Sequence, residues 1–85
     1  VNLTAYPNPF SHFTTIEFEL ETASNVQLSV FDLQGREVQQ LYASAWLQAG
    51  THQVQLEAQD WEAGMYLIRL ATAEEVVTKQ LVLQR

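Results

Sequence analysis

The chain contains no cysteine, which excludes a disulfide framework and any thiolate metal site; packing alone must hold it together. Basic residues are scarce, four Lys and Arg against ten Asp and Glu, for a net charge of −6. Such a field repels phosphate backbones and anionic headgroups, so nucleic acid is set aside as a partner. No apolar run approaches the ~20 residues that span a bilayer, so membrane insertion is not expected. The opening Val1-Asn2-Leu3 lacks the basic and apolar regions of a signal peptide. A chain that begins abruptly on a strand-like segment is expected to be cut from a longer one, with an upstream neighbour missing.

What is present fits one packed domain, residues 1–85. Apolar residues make up 47% of the chain and charged residues 16%, a globular composition and not that of a disordered tail. At ~0.05–0.15 kcal/mol per residue the stability is roughly 4–13 kcal/mol, little to spend on buried polar groups. Ten glutamines keep the surface polar without a strong charge preference.

Period-two alternation dominates. Ile16, Phe18 and Leu20 interleave with Glu17, Glu19 and Glu21, the pattern of a half-buried strand. Val26, Leu28 and Val30 alternate with Gln27 and Ser29, and Asp32-Leu33-Gln34-Gly35 then has Asp and Gly at the first and fourth positions of a tight turn. Arg36 to Tyr42 reads as the return strand, with its inward face ambiguous between Val38, Gln40, Tyr42 and Glu37, Gln39, Leu41. A looser segment, Ala43 to Gly50, reads as loop or strand extension; a helical turn over Leu41 to Gln48 would be short and uncapped. Val54 and Leu56 mark a fifth strand, with His52 expected to point inward. Tyr66, Ile68 and Leu70, opened by Gly64, mark a sixth, and Val77, Lys79, Leu81 and Leu83 share one face of the last. With Leu3 to Tyr6 as the first, about seven short strands predict an all-β, immunoglobulin-like antiparallel β-sandwich. Leu47 and Trp61, each three residues before a glycine, Gly50 and Gly64, are expected to plug the core.

Chemistry is sparse. Ser11, Ser24, Ser29, Ser44, His12 and His52 occur in no nucleophile motif, so no catalytic residue is assigned and the chain is read as non-enzymatic. Glu17, Glu19 and Glu21 spread along a strand at roughly 6.6 Å intervals, too far apart for one ion. Glu57, Asp60 and Glu62 lack the spacing of a calcium loop. No metal or cofactor is expected. Asn2-Leu3-Thr4 fits a glycosylation sequon that carries nothing by itself.

A resemblance enters through specific motifs. Tyr6-Pro7-Asn8-Pro9-Phe10, followed by Thr14-Thr15-Ile16-Glu17-Phe18, is similar to the start of the type IX secretion sorting domain, type A. Val26 to Val38 with its turn glycine Gly35, the glycine turns at Gly50 and Gly64 with Gly64-Met65-Tyr66, and Lys79-Gln80-Leu81-Val82-Leu83 resemble the family's later strands in order. The likeness runs from about Tyr6 to Leu83, with His52 and Trp61 as the chief departures. It implies a domain at the C-terminus of an exported protein, which addresses a covalently linked upstream passenger through the periplasm to an outer-membrane translocon. A sortase-like peptidase then removes it, and the passenger ends at the cell surface or outside. It implies structural motif positions at Pro7, Asn8, Pro9, Gly35, Gly50, Gly64 and Tyr66, and translocon recognition along Lys79, Gln80, Leu81, Val82 and Leu83, read as an exposed strand edge. Deleting Lys79 to Arg85 is then expected to stop export and to spare folding. The competing readings are an accessory carbohydrate-binding module of a secreted glycosidase or adhesin, stacking sugars on Trp46 and Tyr42, and a passive spacer.

Overall fold

The computed structural model describes residues 2–84; Val1 and Arg85, on which the expectations about the chain ends rest, lie outside the described residues. Seven strands follow in order: β1 Leu3–Tyr6, β2 Phe13–Leu20, β3 Ser24–Asp32, β4 Glu37–Leu47, β5 Gly50–Glu57, β6 Gly64–Ala71 and β7 Val76–Leu83. They form a three-stranded sheet ordered β1-β2-β5 and a four-stranded sheet ordered β4-β3-β6-β7, every strand pair antiparallel.

The alternating stripes decide how the sheets meet. Ile16, Phe18 and Leu20 on β2 and Leu56 on β5 face Val26, Leu28 and Val30 on β3, Ile68 and Leu70 on β6, and Leu81 and Leu83 on β7 in one buried cluster. Covering such side chains on both sides contributes roughly 1.5–3 kcal/mol each. Their polar neighbours, Glu19, Gln27, Gln55 and Arg69 among them, stay exposed. Phe18 carries the contact across the sandwich, with its ring edge-on to Tyr42 at 6.5 Å and stacked on His52 at 5.4 Å. His52 therefore points inward as the alternation predicts.

The return strand explains its own ambiguity. From Ser24 to Phe31 on β3 is seven residue steps, whereas the paired stretch from Leu47 to Glu37 on β4 is ten, with three register shifts between. Each shift inserts an unpaired residue and reverses which parity points inward. Leu41 and Tyr42, neighbours in sequence, therefore both pack on the core, which no single alternation allows. Of the two readings of Ala43 to Gly50, strand extension is the one observed: β4 runs on as strand to Leu47, and Gln48 and Ala49 alone join it to β5. Ser29 also departs from expectation, being buried although its parity is outward; it sits between Gln40 and Arg69 in register, under longer side chains.

The two plugs behave alike. Leu47 and Trp61 pack partly buried against the core, and the glycines three residues on open β5 and β6. Gly35, with φ of 88°, closes the β3–β4 turn: its amide donates to the Asp32 carbonyl at 3.1 Å and the Asp32 amide donates to the Arg36 carbonyl at 2.9 Å.

Burial of β7 overturns one expectation. Leu81 and Leu83 are 0% and 2% exposed, so removing Lys79 to Arg85 takes two side chains from the core and cannot spare folding. Leu81→Ala is expected to lower stability by about 2–5 kcal/mol, read from the urea midpoint; a loss under about 1 kcal/mol would mean that β7 is not part of the cooperative core.

Candidate functional site

The motif around the two prolines and the last strand, far apart in sequence, meet along one edge. β1 pairs with β2 as far as Tyr6; the chain then passes Pro7 and Pro9, both preceded by cis peptide bonds, and reaches the other sheet at Phe10. There Phe10 forms a parallel bridge with Leu83, its amide donating to the Val82 carbonyl at 3.0 Å and its carbonyl accepting from the Gln84 amide at 2.8 Å. Its ring is 2% exposed and joins the core.

Neither proline has an amide proton to give. Asn8, between them, supplies both bonding groups from its side chain: Nδ2 donates to the Gln80 carbonyl at 3.0 Å and Oδ1 accepts from the Val82 amide at 3.0 Å. The side-chain amide thus stands where a neighbouring strand's peptide group would. Thr14, fully buried at the inward end of β2, donates its hydroxyl to the Pro7 carbonyl at 2.8 Å and ties the crossing to the core.

This crossing divides the edge of β7 in two. Residues of an antiparallel strand send both backbone groups to the same side, alternately. Gln80, Val82 and Gln84 bond outward to Asn8 and Phe10, so Val76 and Thr78 also point outward, and no described residue pairs with them there. Of the expected recognition residues, Leu81 and Leu83 are core, Val82 is half-buried with its outward backbone taken, and Lys79 and Gln80 are exposed. Lys79 shares the parity of Leu81, yet at the open side of the sandwich between β1 and β7 it lines a crevice of about 440 Å³ together with Leu3, Phe18, Glu17 and Glu19. It forms no ion pair with a described residue and is exposed, with its ammonium in water as for a snorkelling lysine.

Gly50 and Gly64 have φ of 126° and 150°. The Tyr66 ring stacks at a tilt on Trp61, 4.9 Å between centroids, and its hydroxyl donates to the Glu62 carbonyl at 2.5 Å.

Two of the remaining polar candidates make structural hydrogen bonds. Ser24 accepts from the Ala73 amide and donates to the Asn25 carbonyl, both at 3.1 Å. A ring nitrogen of His52 lies 2.7 Å from the Gln48 carbonyl oxygen. Among the described residues no group of three or more His, Asp or Glu could hold a metal ion. Glu17 accepts from Gln53 Nε2 at 2.7 Å and from the Tyr6 hydroxyl at 3.0 Å. Those two hydrogen bonds hold its carboxyl below the ordinary carboxylate value against a small opposing effect of burial, and the same pairing raises the Tyr6 phenol. Trp46, 62% exposed, lies opposite Asn25 on the outer face, whereas Tyr42 lies opposite Leu28 on the inner one. The two rings do not form a platform, which removes the feature that favoured a carbohydrate module.

The Asn8 clamp and the division of the edge were not read from the sequence; an asparagine flanked by two residues without amide protons was the available signal. Asn8→Ala is expected to cost about 1–3 kcal/mol, two modest hydrogen bonds, and to speed hydrogen exchange at the Val82 amide selectively. Unchanged protection there would remove the clamp. For Glu17 the sign is that of a depressed carboxyl: its contribution is present above the unfolded value of about 4.3 and lost as pH falls through the lower folded value. Glu17→Gln should therefore flatten the stability profile below about pH 4.3, as followed by thermal melts across that range; an unaltered profile would show that the hydrogen bonds have no effect on its titration.

A family model described as the secretion system C-terminal sorting domain matches residues 4–84. A comparison with curated proteins gives no match.

Proposed function

Because this chain belongs to the family of secretion system C-terminal sorting domains, its role is that of a sorting signal for an exported passenger of the type IX system, and we propose that the signal is read from the exposed half of β7. The passenger would be covalently linked upstream of this single domain, cross the periplasm, pass an outer-membrane translocon and be released from the domain by a sortase-like peptidase, ending at the cell surface or outside. The three-plus-four strand order, with the chain leaving β1 after Tyr6 and meeting β7 at Phe10, supports an immunoglobulin-like reading of the sandwich.

One observation carries the recognition proposal: among the described residues nothing pairs with the outward backbone groups at Val76 and Thr78, while those from the Gln80 carbonyl onward are clamped by Asn8 and Phe10. A receptor adding a strand to β7 finds free donors and acceptors only in its first half. Lys79 and Gln80 flank that opening with exposed side chains. Leu81 and Leu83 then act indirectly, by holding the strand in the core, and Val82 through the backbone bonds that Asn8 and Phe10 make to it. Pro7, Asn8 and Pro9 hold the other half shut.

Proline at an outward-facing edge position removes a free amide and no ladder bond. Thr78→Pro, with Val76→Pro as a second variant, is expected to leave the urea midpoint of the domain nearly unchanged and to abolish export of a fused passenger. Normal export of both folded variants would rule out reading by strand addition at this edge.

A further inference from the structure

The two outer faces of the sandwich differ in chemistry. The three-stranded sheet presents Glu17, Glu19 and Glu57 outward. On the four-stranded sheet, in a chain with ten acids, the outward positions of β3, β6 and β7 carry no carboxylate and a single charge, Arg69. The acid of that face is Glu37, on edge strand β4 opposite Phe31.

Arg69 is exposed and forms no ion pair with a described residue. It borders a cavity of about 410 Å³ walled by Phe31, Leu33, Leu67 and Thr78. Phe31 and Leu67 are register partners, which places their side chains side by side, and Leu33 at the turn is 61% exposed. Asp32 closes the cavity at the turn end, but its carboxylate is occupied: Oδ1 accepts from the Gln34 and Arg36 amides at 2.9 and 3.0 Å, and Oδ2 from Arg36 Nε at 2.9 Å. Although burial works against it, these bonds from Arg36 and Gln34 hold that carboxyl below its ordinary value. What faces the cavity is thus an apolar floor with one unpaired guanidinium at its rim.

We infer that this face docks a partner polypeptide in which an aromatic or long aliphatic side chain stands next to a carboxylate, the apolar group filling the space over Phe31 and Leu67 and the carboxylate pairing with Arg69. Charge selects this occupant. A basic segment would meet Arg69 with like charge, and a purely apolar one would leave the guanidinium's donors to water. A second copy of the chain would bring a net charge of −6 against −6, a repulsion that disfavours self-docking. The inference does not rest on how β7 is read.

The test is a two-dimensional amide NMR titration of the 85-residue chain with acetyl-Gly-Phe-Glu-Gly-amide and its Gln counterpart, acetyl-Gly-Phe-Gln-Gly-amide. Saturable shifts are expected at Phe31, Leu67, Arg69 and Thr78, with binding roughly two- to fivefold weaker for the Gln peptide, the size of an exposed ion pair. Arg69→Gln should abolish that difference while keeping the spectrum of a folded sandwich, and Arg69→Lys should retain part of it. The proposal is overturned by absent shifts, by shifts confined to another face, or by equal affinity for the two peptides. Concentration-dependent shifts of the same residues without peptide would assign the face to a second copy and overturn it as well.

Discussion

The closure of β7 by a side-chain amide is the interaction on which the rest depends. A sandwich of two small sheets has open sides, and a terminal strand at one of them must be held by more than a single neighbour. β6 holds it along one edge, the core holds Leu81 and Leu83, and Asn8 with Phe10 holds the far half of the other edge. Because the holding segment follows directly on β1, one crossing joins the first strand of one sheet to the last strand of the other. Thr14 adds its buried hydroxyl to the same crossing, so a polar group in the inward row costs nothing unsatisfied.

The same closure limits what a partner can reach. Edge strands invite pairing and are usually blunted. β4 is bulged three times along its length, β1 is four residues long, and β7 is shut over its second half. The open first half of β7 and the exposed Lys79 beside it combine accessibility with a fixed backbone, because the strand behind them is anchored in the core. An export signal recognised in the folded state needs both properties.

Much of this was legible in the sequence. Alternation in β2, β3, β5 and β6 marked their inward faces, Ser29 apart, and Asp32 to Gly35 marked the turn, since local pattern and burial agree there. β4 was not legible because each bulge reverses parity without leaving a glycine or proline to mark it. The segment Lys79 to Leu83 was read too uniformly as an exposed strand edge. Alternation distinguishes Leu81 and Leu83 from Gln80 and Val82, yet it does not reveal that the outward groups of Gln80 and Val82 are taken by a residue over seventy positions earlier. The outer face of the four-stranded sheet escaped for a related reason: Phe31, Leu67 and Arg69 come from two strands and acquire meaning only once register sets them side by side.

The most direct measurement fuses residues 1–85 behind a periplasm-directed fluorescent protein in a host with a type IX system and locates the folded fusion. Fluorescence at the surface or in the medium, lost when the translocon is deleted, is the expected result. Retention of a folded fusion in the periplasm of the intact host would contradict the sorting role.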